Sequence, residues 1–171
     1  MMNARPPLPP RGFTLIELLI TLALVGLLSS VALPLYEVSA TRAKEVELRQ
    51  ALRTIRAGLD AYKAATDTGD LAKQVGESGY PASLDVLTQV LELSSKRVFG
   101  MEGSPASRRM VILRQMPRDP FFPDRTVPAE QTWKTRAYAT RADDPQPGDD
   151  VFDVSSTSTR IGLDGTAYNS W

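Results

Sequence analysis

The stretch that decides the fold is residues 12–38, which reads GFTLIELLITLALVGLLSSVALPLYEV. Residues 13–33 are overwhelmingly Leu, Ile, Val and Ala, and about 20 such residues cross the hydrocarbon core of a bilayer. Arg5 and Arg11 precede the stretch, and no basic residue follows it before Arg42. The stretch therefore predicts a membrane helix whose N-terminus lies on the cytoplasmic side.

One carboxylate, Glu17, lies near the start of this apolar helix. A charged side chain deep in a membrane helix costs about 2.5–3.5 kcal/mol on insertion scales, so it usually has a partner. No Lys or Arg lies on the same helical face within two turns. If the chain were cut after Gly12, the new α-amine of Phe13 would lie four residues from Glu17. An amine of this or a neighbouring subunit could then neutralise the carboxylate, whereas a plain membrane anchor leaves Glu17 unexplained.

The nine residues GFTLIELLI resemble the class III leader junction of type IV pilins and type II secretion pseudopilins. The resemblance implies that residues 1–12 are a leader peptide, that a prepilin peptidase cuts after Gly12, and that Phe13 becomes the N-methylated first residue. It also implies that Glu17 pairs with the N-terminus of a neighbouring subunit during assembly. Residues 13–38 are then the transmembrane and assembly helix.

Two residues weaken this helix. Gly26 costs about 1 kcal/mol in a helix interior, and Pro34 cannot donate a hydrogen bond to the carbonyl of Ser30. We expect a kinked helix in the isolated subunit, in which the hydroxyls of Ser29 and Ser30 bond to the freed carbonyls. The resemblance to pilins implies that residues 26–34 unwind when subunits pack into a filament.

Residues 39–68 continue the helix with an amphipathic pattern. Apolar residues recur at alternating steps of four and three, and charged residues fill the other faces, which predicts one stripe packed against a globular core. Glu45 and Arg49 are spaced for an i,i+4 ion pair, and Gly69 should end the helix after about Thr66. The predicted core positions are Leu48, Leu52, Ile55, Leu59 and Tyr62.

Residues 69–171 predict a globular periplasmic head. Ser83 is a possible N-cap of a short helix with Leu84, Leu87 and Leu91 on one face. Residues 110–113, 133–140 and 151–156 are possible strands, and PRDP at 117–120 is a turn. The predicted fold is α+β: a long N-terminal helix, half membrane-inserted and half amphipathic, with a C-terminal head of a short helix and a small antiparallel sheet.

The head also contains a run of aspartates on predicted loops. Oxygen ligands of this kind suit Ca²⁺, and the Tyr-Pro at 80–81 and the Arg-Asp-Pro turn resemble those of major, G-type pseudopilins, which bind calcium through a C-terminal acidic loop. The EF-hand spacing is absent, and Asp is also a common turn residue, so solvated turns are the simpler interpretation. The candidate calcium ligands are Asp149, Asp150, Asp153 and Asp164.

Composition excludes several other functions. The chain has no Cys and no His, which removes the usual zinc sites, thiol and histidine catalysis, and disulfides. Lys+Arg and Asp+Glu both number 20, so no basic excess indicates nucleic-acid binding. The nucleophile-elbow, P-loop and dinucleotide motifs are absent. We therefore expect a protein that is not an enzyme.

The sequence thus predicts a structural subunit of a type II secretion pseudopilus, anchored in the bacterial inner membrane with its head in the periplasm. Its predicted partners are further copies of itself, other pseudopilins, the prepilin peptidase and the inner-membrane assembly platform, with no nucleic acid. The absence of a C-terminal cysteine pair, which many pilins carry, favours secretion. A type IV pilus subunit is the alternative within this class. A membrane-tethered periplasmic binding domain is the alternative from another class.

Overall fold

The computed structural model describes residues 12–94 and 108–171. It divides into two compact units, Met1–Thr41 and Arg42–Trp171. We refer to the first as the N-terminal unit and to the second as the globular unit.

The predicted long helix, α1, is confirmed and runs over Leu15–Asp67. Thr14 caps its start, because the Thr14 hydroxyl oxygen accepts a hydrogen bond from the backbone N–H of Glu17 at 3.3 Å. Gly69 follows its end with φ 76°, a left-handed conformation that glycine adopts without strain. The helix therefore ends where the sequence predicted.

The helix continues through Pro34. The Ser30 hydroxyl donates to the carbonyl of Leu27 at 2.7 Å, not to the carbonyl that Pro34 leaves without an N–H partner. The predicted compensation by Ser30 is therefore wrong, because the hydroxyl bonds back within its own turn, a common arrangement for Ser in helices. The kink and the unwinding of residues 26–34 stay predictions.

In the globular unit, α1 buries the predicted apolar stripe. Leu48, Leu52, Ile55 and Leu59 are at most 3% exposed, and Tyr62 is half-buried against the same cluster. Burying a side chain of this size contributes about 1.5–3 kcal/mol relative to leaving it in water. The stripe packs against residues from the rest of the unit, namely Leu84, Leu87, Met116, Trp133, Val151, Val154 and Tyr168.

The described strands form two small antiparallel sheets. Strand β1 (Leu91–Leu93) pairs with β2 (Arg108–Met110). Strand β3 (Trp133–Arg136) pairs with β4 (Asp153–Ser156), with Trp133 opposite Ser156. The two strands predicted at 133–140 and 151–156 are confirmed with shorter bounds, and the α+β class is confirmed with them.

The short helix predicted after Ser83 is a 3₁₀ helix over Leu84–Thr88. Its extension to Leu91 is wrong, because the Leu87 carbonyl accepts a hydrogen bond from Leu113 N–H at 2.8 Å and Leu91 begins β1. The predicted strand at 110–113 is also wrong in extent, since β2 ends at Met110. The sequence also predicts a basic end for this helix at Lys96 and Arg97, which lie outside the described residues.

The predicted turn at 117–120 holds the larger sheet in place. Asp119 is buried, and its carboxylate accepts hydrogen bonds from Phe121 N–H at 2.8 Å and from the Ser156 hydroxyl at 2.5 Å. The indole N–H of Trp133 donates to the carbonyl of Pro117 at 2.9 Å. The turn is thus bonded to both β3 and β4.

Candidate functional site

The predicted cleavage site lies on exposed chain just before α1. Gly12, Phe13 and Thr14 precede the helix, and Phe13 is 81% exposed. A Cβ built on Gly12 would meet nothing within 4 Å. The bond between Gly12 and Phe13 therefore lies outside regular structure, and residues 1–11 of the predicted leader lie outside the described residues.

Glu17 lies in the first turn of α1 and is exposed. Its backbone N–H is held by Thr14, and no ion pair within residues 12–94 and 108–171 includes its carboxylate. The positive end of the helix dipole favours an acidic side chain here by at most about 1 kcal/mol at an exposed site. The carboxylate is therefore left available for a cation from outside this part of the chain.

The apolar half of α1 has no covering in the described chain. The helix is long and apolar enough to cross a membrane, and its most apolar stretch contains no buried residue. The large apolar side chains exposed in this unit are Phe13, Leu15, Ile16, Leu18, Leu19, Ile20, Leu22, Leu24, Val25, Leu27, Leu28, Val31, Leu33, Leu35, Tyr36 and Val38. A continuous apolar surface of this kind marks a membrane or protein interaction site.

Gly26 and Pro34 both lie inside α1. A Cβ built on Gly26 would meet nothing within 4 Å, so no contact among the described residues requires glycine at this position. A glycine in an apolar helix allows the backbone of another helix to approach closely.

The N-terminal segment matches a family model described as the prokaryotic N-terminal methylation motif, over residues 10–33. The chain carries this motif. It includes Gly12, Phe13, Glu17 and Gly26, so the residues singled out around the predicted cut lie together inside the matched segment.

One relative links the chain to pilins. The chain is 33% identical over 67 residues to the type IV major pilin protein PilA of Myxococcus xanthus, a match that covers 39% of this chain. The chain spans only 30% of that relative's length. No solved structure matches. The chain is thus type IV pilin-like.

The four candidate calcium ligands are not gathered into one site. Asp153 pairs with Arg56 and Arg136, and Asp164 pairs with Arg49. The Asp150 carboxylate accepts a hydrogen bond from the backbone N–H of Tyr138 at 2.8 Å.

In the described ranges, no three acidic side chains are placed to hold a metal ion. The residues present therefore do not fit a calcium ion, because at least three of the four aspartates already bond to separate parts of the fold.

Sequence reasoning missed a cluster that holds the C-terminal residues on α1. Glu45 is 3% exposed, and its Oε1 accepts hydrogen bonds from Leu163 N–H at 2.7 Å and from the Tyr168 hydroxyl at 3.0 Å. The predicted pair between Glu45 and Arg49 is wrong, because Arg49 instead contacts Asp164 at 3.3 Å. The i,i+4 spacing of Glu45 and Arg49 predicted a local ion pair. The sequence has no pattern that signals partners more than 110 residues away.

The protonation behaviour of this cluster follows from its contacts. Burial, and then the hydrogen bond to Glu45, raise the pKa of Tyr168 above its usual 10.0. Hydrogen bonds from the side chain and backbone of Thr166, with a smaller contribution from Arg49, lower the pKa of Asp164. At neutral pH the cluster therefore contains a neutral tyrosine donor and a charged aspartate.

Proposed function

We propose that this chain is a structural subunit of a type II secretion pseudopilus. In this proposal a prepilin peptidase cuts it after Gly12 and methylates Phe13, and the mature subunits polymerise to drive protein export across the outer membrane. The observation that carries the proposal is the exposed apolar part of α1. It overlaps the methylation motif at residues 10–33 and carries a carboxylate, Glu17, without an ion pair in the described residues.

The mechanism depends on what the cut creates. Cleavage after Gly12 produces an α-amine on Phe13, four residues from Glu17. A lone carboxylate inside hydrocarbon is unfavourable by about 2.5–3.5 kcal/mol, and an amine from a neighbouring subunit removes that cost as the subunit enters a filament. Cleavage thus makes assembly favourable, and the uncut chain waits in the inner membrane.

Orientation follows from charge. Arg5 and Arg11 precede the apolar segment, which favours a cytoplasmic N-terminus and a periplasmic globular unit. The proposed partners are further copies, other pseudopilins, the peptidase and the assembly platform. The proposed role is mechanical, and the absence of His and Cys supports a function without catalysis.

The second candidate is a type IV pilus subunit, which the similarity to the pilin of Myxococcus xanthus favours. The lack of any cysteine favours secretion, since no disulfide can close a C-terminal loop. Deleting the gene separates the two: loss of exported proteins from the medium supports a pseudopilus, and loss of surface filaments with normal export supports a pilus.

Glu17→Ala tests the charge pairing, with Glu37→Ala as the matched control because Glu37 is an exposed carboxylate on the same helix. We expect Glu17→Ala to be cleaved yet to lose filament formation, and Glu37→Ala to assemble normally. Filaments are measured by shearing and immunoblotting. Normal assembly of Glu17→Ala would show that the carboxylate is not needed and would overturn the pairing. An uncleaved, unassembled wild type would favour a membrane-tethered binding domain.

A further inference from the structure

A basic cavity opens beside α1 in the globular unit. It has a volume of about 320 Å³, and Arg49, Arg53, Arg56, Asp164 and Trp171 are among its lining residues. We refer to it as the arginine pocket. Asp164 pairs with Arg49, and Asp153 pairs with Arg56. One of the three arginines is therefore left without an acidic partner in the described residues, so the pocket is suited to an acidic group.

The three arginines differ in what they already bind. Arg56 contacts Asp153 at 2.8 Å, and Arg49 contacts Asp164 and lies over the ring of Trp171. Arg53 donates only to the neutral amide oxygen of Gln50, at 2.9 Å, and makes no ion pair in the described ranges. A guanidinium has five N–H donors, so Arg53 retains most of its capacity to bind an anion.

An acidic segment of the same unit has the opposite character. Residues 141–150, RADDPQPGDD, contain one arginine and four aspartates, and all but Pro145 and Asp150 are exposed. We refer to this segment as the acidic loop. Arg141 pairs with Asp143, whereas the Asp144 carboxylate accepts only from the neutral amide of Gln146. Two prolines restrict the loop, which lowers the entropy lost when it binds.

We infer that the acidic loop of one copy of this chain docks in the arginine pocket of a second copy, with Asp144 against Arg53. The inference rests on the proposed function, and it adds a contact between globular units to the proposed polymer. The occupant is argued from charge: in the described ranges Arg53 of the pocket has no ion pair, the loop has three more negative than positive charges, and each copy of the chain supplies one pocket and one loop. Because the two surfaces differ, the contact is heterologous and can continue from copy to copy in a filament.

The size of the effect sets the design of the test. An exposed ion pair is worth at most about 1 kcal/mol, which is about a fivefold change in an equilibrium constant. Such a contact fixes the register between subunits, while the apolar helices supply most of the association. Charge reversal, which replaces attraction with repulsion, is therefore a better probe than removal to alanine.

The absence of cysteine from the natural chain allows a cross-linking experiment without background. Full-length Arg53→Cys and Asp144→Cys variants are expressed together in the native host, oxidised, and separated on a non-reducing gel. We expect a disulfide-linked dimer that forms only when both variants are present. Arg125→Cys, at another exposed arginine, replaces Arg53→Cys in the control and should not cross-link to Asp144→Cys.

A charge exchange gives the independent readout. Arg53→Glu and Asp144→Arg should each lower the yield of sheared filaments about fivefold or more, and the double variant should recover most of the wild-type yield. Tryptophan fluorescence checks that each variant is folded.

The outcomes separate the inference from the function it rests on. Normal wild-type filaments with neither cross-link nor rescue would overturn the docking contact and leave the proposed polymerisation intact. A wild type that forms no polymer would overturn both.

Discussion

Replacing Glu45 with alanine should lower the free energy of unfolding of the globular unit by about 2–4 kcal/mol. The Glu45 Oε1 atom accepts two hydrogen bonds, from Leu163 N–H at 2.7 Å and from the Tyr168 hydroxyl at 3.0 Å. A hydrogen bond to a charged group contributes about 1.5–3 kcal/mol. Tyr168 is fully buried, so its hydroxyl loses its partner outright, whereas Leu163 is 47% exposed and its N–H can bind water. The expected loss of unfolding free energy is therefore smaller than the sum for two full hydrogen bonds.

Glu45→Gln is the matched control for this prediction. Both bonds end on the same oxygen, so a glutamine can keep both acceptor contacts and lose only the charge. Charge-assisted hydrogen bonds are about twice as strong as neutral ones, so we expect a loss of about 1–2 kcal/mol, clearly smaller than for alanine.

Urea unfolding of the full chain in detergent micelles measures both variants. The chain has two tryptophans, and both Trp133 and Trp171 lie in the globular unit, so their fluorescence follows its unfolding. The free energy is obtained by linear extrapolation to zero urea. A loss below about 0.5 kcal/mol for Glu45→Ala, or equal losses for both variants, would refute the assignment of two stabilising bonds to this oxygen.

Three further predictions concern the same unit. The pKa of Tyr168 is raised in the folded state, so the stability that its neutral hydroxyl contributes is fully present below pH 10 and is lost as the pH rises through the folded pKa. The loss of unfolding free energy at alkaline pH should therefore be smaller in Tyr168→Phe. Urea midpoints measured across pH 8–11 would show this difference. A Cβ on Gly162 would lie 2.9 Å from the ring of Tyr168 and 3.0 Å from Glu45, so Gly162→Ala should cost about 1–3 kcal/mol, and a midpoint equal to wild type would contradict this packing. EGTA should leave the thermal midpoint unchanged, since no three acidic side chains of the described residues are placed to hold a metal ion. A fall of several degrees would support the calcium site.

The sequence was informative wherever local patterns determine structure. The four-three spacing of Leu48, Leu52, Ile55 and Leu59 is a property of one helix face, and all four are buried. Gly69 ended α1 as predicted because its left-handed φ is a local requirement. The strand predicted at 133–140 is likewise confirmed over Trp133–Arg136.

Predictions that depended on distant partners were less successful. Leu91 continued a helical spacing from Leu84, yet it begins a strand because β2 offers a pairing edge. The spacing predicted that Glu45 pairs with Arg49, whereas its carboxylate accepts a hydrogen bond from a tyrosine 123 residues away. The aspartates suggested a metal site, whereas Arg56 and Arg49 bind two of them in different places. Each outcome was decided by a tertiary contact that spacing cannot reveal.

The most direct test of the central claim is the mass of the mature chain's N-terminus, measured by mass spectrometry on protein purified from its native host. The account predicts that the chain begins at Phe13 with one methyl group on its amine. It further predicts that Gly12→Val leaves the leader attached and prevents filament formation. A wild-type chain that keeps residues 1–12, or a cut at another bond, would contradict the claim that cleavage at Gly12 creates the partner of Glu17.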